Sequence, residues 1–170
     1  MNYQDCIREI PDFPKKGILF KDITPIFKNP EAFHNLIEDL YNKVKELDFD
    51  YIAGIEARGF LVGVPLALKM NKGFIPIRKK GKLPGEVIRA EYELEYGSNT
   101  LEMHKDAFEP GSKILIIDDL LATGGTVSAS IEMIENLNGQ VAGLAFILEL
   151  TFLNGRERLS KFPVISLIKD

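Results

Sequence analysis

The groups best placed to do chemistry lie in Ile116-Ile117-Asp118-Asp119-Leu120-Leu121-Ala122-Thr123-Gly124-Gly125-Thr126, where two adjacent carboxylates precede a Thr-Gly-Gly-Thr turn. Glycines let backbone amides turn inward and approach an anion closely. Val127, Ile131 and Ile134 follow at helical spacing, so the turn also receives the positive end of a helix and its free N–H groups. Thr123 and Thr126 add hydroxyl donors. Ala122, Thr123, Gly124, Gly125 and Thr126 are therefore expected to hold a phosphate. Asp118 and Asp119 must serve something else, because ionised carboxylates accept hydrogen bonds only and repel phosphate. Vicinal sugar hydroxyls would satisfy them. Acids beside a phosphate cradle specify a phosphorylated ribose, its diol on one side and its 5′-phosphate on the other. The same carboxylates would stabilise positive charge growing on the ribose ring, by roughly 4 kcal/mol at ~4 Å and an effective dielectric of about 20. Gly-Gly after a strand is by itself only a turn and a helix start, and acids near a helix N-terminus are ordinary dipole partners. The whole string carries the reading. It is not a P-loop, because GxxxxGK[ST] occurs nowhere in the chain.

Two further segments carry concentrated charge. Arg58 sits in the turn Glu56-Ala57-Arg58-Gly59, just after an apolar run. Arg78, Lys79 and Lys82 belong to a basic stretch containing two glycines and a proline. A charge run is ordinarily a solvated face, but one concentrated basic loop in an acidic chain fits a small anionic substrate. His34 and His104 have no cysteine or HExxH-type partners, so a zinc site is not expected.

These residues need elements to position them. Asn29-Pro30 reads as an N-cap with proline at the first helical position, followed by an apolar face through Phe33, Leu36, Ile37, Leu40, Tyr41, Val44 and Leu47. Tyr51–Ile55 reads as a short buried strand, Phe60–Met70 as a helix buried nearly all round, and Phe74–Ile77 as a strand. From Val87 to Lys105 charged and apolar residues alternate around Tyr96-Gly97-Ser98-Asn99, which predicts an exposed antiparallel hairpin. Lys113–Ile117 is a central strand, with the acids following it in a loop. The helix after the turn stops at Asn138-Gly139, and Val141–Leu150 and Val164–Ile168 are strands. Such alternation predicts an α/β fold with a mainly parallel sheet, in which ligands bind outside the carboxyl ends of the strands.

The chain has 170 residues, 45% hydrophobic and 27% charged, which suits one domain burying roughly 70% of its unfolded surface. The net charge of −4 argues against a nucleic-acid or acidic-membrane surface. One cysteine, Cys6, allows no internal disulfide. The N-terminus lacks a signal pattern, and no apolar run reaches the ~20 residues of a membrane span. Cytoplasmic residence is the default expectation.

Ile114 to Thr126 resembles the phosphoribosyl-diphosphate motif of the type I phosphoribosyltransferases. Phe13-Pro14-Lys15-Lys16-Gly17-Ile18-Leu19-Phe20-Lys21-Asp22-Ile23, Glu56-Ala57-Arg58-Gly59-Phe60, the segment Arg78 to Gly85, and Leu94-Glu95-Tyr96-Gly97 extend the resemblance over nearly the whole chain. They point to the adenine-using members of that family. The resemblance implies a central, mainly parallel sheet flanked by helices in a single domain, 1–170, with an N-terminal hood, 1–28, and a hairpin lid, about 87–105. It implies transfer of 5-phosphoribosyl from phosphoribosyl diphosphate to adenine, giving AMP and diphosphate, as in purine salvage. Glu56, Ala57 and Arg58 would cradle the diphosphate. Arg78, Lys79 and Lys82 would reach the diphosphate site of a neighbouring subunit, which implies a homodimer. Glu95 would approach the purine as a catalytic carboxylate alongside Arg58, with Tyr96 beside it in the lid. Leu19, Phe20 and Lys21 would hold adenine through backbone groups. Lys21 stands where the family pattern has Arg, which bears on a side-chain role. Mg²⁺ is expected as cofactor, held mainly by substrate oxygens and water rather than by protein ligands. The alternatives are the same reaction on another purine, xanthine or guanine, and a non-catalytic regulator of the same fold that senses phosphoribosyl diphosphate.

Overall fold

The structure is a computed structural model that describes residues 2–93 and 97–170, and the chain divides into two units, Met1–Asn42 and Lys43–Asp170.

In the first unit, β1 (Arg8–Pro11) and β2 (Leu19–Asp22) pair antiparallel, Arg8 opposite Asp22 and Pro11 opposite Leu19. Arg8 Nη2 donates to Asp22 Oδ2 at 2.5 Å across that pair. Neither strand was expected. Each has only four residues; β1 is mostly exposed, and the one buried residue of β2 is the charged Asp22, so no apolar alternation marks either in the sequence. Two helices follow, α1 (Thr24–Lys28) and α2 (Pro30–Val44). Asn29 Oδ1 accepts the Ala32 N–H at 3.0 Å, so Asn29 caps α2 as its sequence position predicts. Leu36, Ile37 and Leu40 are buried, each stabilising the fold by roughly 1.5–3 kcal/mol. The helix ends at Val44, one turn short of Leu47.

The second unit is built on one seven-stranded sheet. Its elements run β3 (Tyr51–Ile55), α3 (Arg58–Met70), β4 (Gly73–Lys79), β5 (Val87–Glu93), β6 (Ser98–His104), β7 (Lys113–Leu121), α4 (Gly125–Asn136), β8 (Gln140–Glu149) and β9 (Val164–Lys169). The strand order is β5-β6-β4-β3-β7-β8-β9. The five strands from β4 to β9 in that order are parallel, and β6 joins β4 and β5 antiparallel. Ile114 to Ile117 are fully buried at the centre, which is why β7 reads as one continuous apolar run.

Three expectations are corrected. β7 runs on to Leu121, so Asp118 and Asp119 lie within the strand and not in a loop after it. α3 is not buried all round: Val62, Leu66 and Ala67 are buried, while Leu61, Val64 and Leu68 are 45%, 39% and 78% exposed. The hairpin is antiparallel as expected, with Glu93 opposite Ser98, but Ser98 and Asn99 belong to β6 rather than to the turn. One face of it is buried as well, at Ala90, Leu101 and Met103, because β6 extends the main sheet through Arg78↔Glu102 and Lys79↔Leu101.

Candidate active site

The site forms where β3 and β7 part company. Their last paired residues are Gly54 and Ile117. Beyond that point β7 stays paired to β8, with Asp118 opposite Phe146 and Leu120 opposite Leu148. The chain leaving β3 passes through Glu56–Ala57, a cis peptide, and enters α3 at Arg58. A Cβ on Gly59 would stand 2.9 Å from the Ile117 carbonyl oxygen and 3.2 Å from Asp118 Oδ1. Only glycine lets the first turn of α3 lie this close to β7.

The two acids differ in their surroundings. Asp119 Oδ2 is 2.7 Å from Arg58 Nε. Asp118 Oδ1 accepts the Asp119 backbone N–H at 2.9 Å. Burial of Asp118, and then the neighbouring Asp119 carboxylate, push its carboxyl well above the ordinary carboxylate range, against the pull of Arg58.

Past Leu121 the chain turns through Ala122 and Thr123 to Gly124, which takes a positive φ of 85° and caps α4 without any side-chain hydrogen bond. The N-cap thus supplies no side-chain acceptor to the first-turn amides of α4, and such amides suit an anion. Together the turn, both aspartates, Glu56, Ala57, Arg58 and Lys79 line a cleft of about 410 Å³. Tyr92, from β5, lines it too. No sequence signal distinguished Tyr92 from other alternating hairpin residues; it reaches the cleft because β5 packs against α4.

The basic segment is anchored rather than free. Glu56 Oε2 accepts from Arg78 Nε at 3.2 Å and its Oε1 from Arg78 Nη2 at 3.1 Å, a two-pronged pairing. Glu56 Oε2 also accepts the Lys79 N–H at 2.9 Å. Burial alone would raise the Glu56 carboxyl; Arg78 and the Lys79 amide outweigh it and hold it below its usual value. Arg78 Nη1 reaches the Lys82 carbonyl at 3.4 Å. Farther along, Gly81 N donates at 3.1 Å to Glu102, which is 1% exposed and takes Arg89 Nε at 2.7 Å. Arg78 and Lys82 are not among the residues lining the cleft. Glu102 escaped the sequence reading because nothing in an alternating strand marks which acid is buried.

Leu19, Phe20 and Lys21 belong to β2, in the other unit. There Lys21 Nζ pairs with Glu9 Oε1 at 2.5 Å, and the Phe20 ring meets Phe13 edge-on at 5.2 Å. Glu95 and Tyr96 lie outside the described residues.

Residues 22–167 match the family model for the phosphoribosyl transferase domain. The adenine phosphoribosyltransferase of Halothermothrix orenii is 58% identical over 170 residues, the whole of both chains. The chain belongs to the adenine phosphoribosyltransferase family. Among solved structures, the family member from Thermoanaerobacter pseudethanolicus is 55% identical and superposes with a TM-score of 0.96, over 99% of this chain and 98% of the other. The adenine phosphoribosyltransferase of Saccharomyces cerevisiae, solved with D-2,5-dideoxy-2,5-imino-altritol 1,6-bisphosphate and adenine, is 45% identical with a TM-score of 0.91, over 97% and 96%. The phosphoribosyl transferase match takes in Arg58, the basic segment and the acids with their turn, and begins just after Lys21.

Proposed function

We propose that the protein transfers the 5-phosphoribosyl group from phosphoribosyl diphosphate to adenine, forming AMP and diphosphate in purine salvage. The observation that carries this is the meeting, in one cleft, of the Asp118–Asp119 pair with the uncapped N-terminus of α4. The relatives' names and the adenine in the yeast complex support adenine as the base.

In the transfer, the bond from C1′ to the diphosphate oxygen breaks and a purine nitrogen bonds to C1′, its proton leaving. Ala122 to Thr126 hold the 5′-phosphate with backbone amides and the Thr123 and Thr126 hydroxyls. Asp118 and Asp119 accept from the ribose diol and oppose the positive charge on the ring. Arg58 and Lys79 face the diphosphate, with the Ala57 backbone beside them. Glu56 acts by holding Arg78 and the Lys79 amide, since its own carboxylate would repel the leaving group. Glu95 is assigned the purine proton and Tyr96 a part in the lid, and Leu19, Phe20 and Lys21 are assigned to adenine through their backbone groups. The Lys21 ammonium is already paired with Glu9, which favours backbone recognition there.

Mg²⁺ fits the donors present. Three acids line the cleft, Glu56, Asp118 and Asp119, and of these Glu56 is already engaged by Arg78, which leaves a pair suited to an ion that keeps substrate oxygens and waters as its main ligands. Asp118 and Asp119 would hold it through water, and when bound it would supply neutralisation of diphosphate charge. A homodimer is favoured by the exposed apolar stripe Leu61, Val64 and Leu68 on α3. No helix among the described residues is long and apolar enough to cross a membrane.

The test is to mix protein, Mg²⁺ and phosphoribosyl diphosphate with adenine, guanine, hypoxanthine or xanthine in turn and assay for nucleotide. AMP from adenine, and little nucleotide from the oxopurines, is expected. Absence of AMP would overturn the reading.

A further inference from the structure

A second turn, unused in the reaction above, stands directly behind the phosphate turn. It is the 3-10 turn Gly155–Leu159 that follows β8. A Cβ on Gly155 would lie 2.2 Å from the Ala122 carbonyl oxygen and 3.0 Å from the Thr123 carbonyl carbon. Both are backbone atoms of the turn itself, so neither can swing aside as a side chain could. From the other side, a Cβ on Gly124 would lie 3.0 Å from the Gly155 carbonyl oxygen. The two backbones are in contact, and glycine on each side permits it.

The next residue fixes where Gly155 sits. Arg156 Nε donates to Glu149 Oε1 at 2.8 Å, and Arg156 Nη2 donates to Glu149 Oε2. Nη2 also reaches Ser166 Oγ at 3.1 Å, and Nη1 reaches the Val164 carbonyl at 2.8 Å. Ser166 Oγ in turn donates to Glu149 Oε2 at 2.6 Å. Glu149 is 4% exposed. This is a forked pairing onto a buried carboxylate, with the Arg156 side chain itself 37% exposed, and it ties the turn to Glu149 at the end of β8 and to Val164 and Ser166 of β9. At the far end of the turn Leu159 is fully buried. A close steric contact and a rigid anchor therefore converge on one residue behind Ala122 and Thr123.

We propose that Gly155, locked in place by Arg156, Glu149 and Ser166, is a positioning residue for the phosphate turn. It braces the back of Ala122–Thr123 so that the amides leading into α4 keep the spacing a 5′-phosphate needs. This rests on the phosphoribosyl reading of the cleft and extends it to residues that touch no substrate. Misplacement of a binding loop by about 1 Å can cost on the order of 10²-fold.

The experiment uses the full-length protein and its Gly155→Ala and Arg156→Lys variants. It measures kcat, KM for each substrate, inhibition by ribose 5-phosphate, and the thermal midpoint. Gly155→Ala is expected to raise both the KM for phosphoribosyl diphosphate and the inhibition constant of ribose 5-phosphate tenfold or more. The KM for adenine, at saturating phosphoribosyl diphosphate, should stay within twofold. Arg156→Lys keeps the charge but loses the fork, and should move the same two constants threefold or more. If both constants stay within twofold in the folded variants, the proposal is overturned, whatever happens to the thermal midpoint. Should Gly155→Ala fail to fold, Arg156→Lys decides by the same criterion. A wild-type protein that makes no AMP overturns the reading of the cleft and this inference with it; an active wild type with unmoved variants overturns this inference alone.

Discussion

Replacing Asp118 with Asn keeps the shape of the side chain and removes one charge, and the structure ties two opposite effects to that change. Asp119 has Arg58 at 2.7 Å, whereas burial and the Asp119 carboxylate both penalise ionisation of Asp118. A carboxyl whose folded pKa is raised contributes stability that is complete below its unfolded value and is lost as pH rises through the folded value. Above that range the ligand-free wild type carries an ionised Asp118 at a cost that Asn does not incur. The thermal midpoint of Asp118→Asn should therefore match wild type near pH 4 and exceed it at pH 8. Each kcal/mol is worth about 2–4 °C for a chain of this size, so a gain of about 2 °C or more is expected.

Turnover should move the other way. A hydrogen bond to a charged group is worth about 1.5–3 kcal/mol against about 0.5–1.5 for a neutral one, so the ribose loses about 1–1.5 kcal/mol of contact. The attraction for the ring's developing charge, at most about 4 kcal/mol for a pair ~4 Å apart at an effective dielectric near 20, largely disappears too. Together roughly 3–5 kcal/mol is lost, or about 10²–10⁴-fold in kcat/KM. The pH profile adds a third readout. Wild-type kcat/KM for phosphoribosyl diphosphate should fall on the acid side as Asp118 takes up a proton in the free enzyme, above the ordinary carboxylate range, and that limb should flatten in Asp118→Asn. Initial rates of AMP formation and thermal unfolding of ligand-free protein, both from pH 4 to 9, suffice. A variant within threefold of wild-type kcat/KM, or one no more stable at pH 8, refutes the reasoning.

Two other predictions test the surroundings of the cleft. Glu56→Gln cannot pair with Arg78 as an ion while also accepting the Lys79 N–H; the KM for phosphoribosyl diphosphate should rise about tenfold, a loss of roughly 1.4 kcal/mol, with the KM for adenine unmoved in steady-state assays. Leu68→Glu places a charge on the most exposed residue of the α3 stripe; size-exclusion chromatography with light scattering should give a dimer mass for wild type and a monomer mass for the variant, and a monomeric wild type or an unchanged variant would refute the proposed interface.

The parallel strands were legible because burial on both faces leaves long apolar runs, as in Ile114 to Ile117. The end of β7 was not. Charges after an apolar run look like a loop, and what keeps Asp118 and Asp119 in the strand is pairing with β8, a contact between segments far apart in the chain. The exposed side of α3 was hidden for a related reason. Leu61, Val64 and Leu68 are as apolar as the residues that face the sheet, so composition cannot tell a core stripe from a surface one. β1 and β2 are too short to leave a pattern, and the buried residue of β2 is an acid, Asp22.

The site divides along the same line. Residue types and their local order revealed the acids, the turn and Arg58, because those functions are written within a few consecutive positions. Relations between segments were silent. Glu56 meets Arg78 because β3 and β4 run in parallel with Ile55 opposite Ile77, which sets the next residue of each strand side by side. Gly155 meets Ala122 because Arg156 is fastened to Glu149 and Ser166 on two other strands. Moving the acids from a loop into β7 also changes how the cleft is held. Groups on a strand are positioned more tightly than groups on a loop, so the ribose end takes its geometry from the sheet. The phosphate end depends on a glycine turn, and the contact with Gly155 gives that turn a fixed surface to rest on.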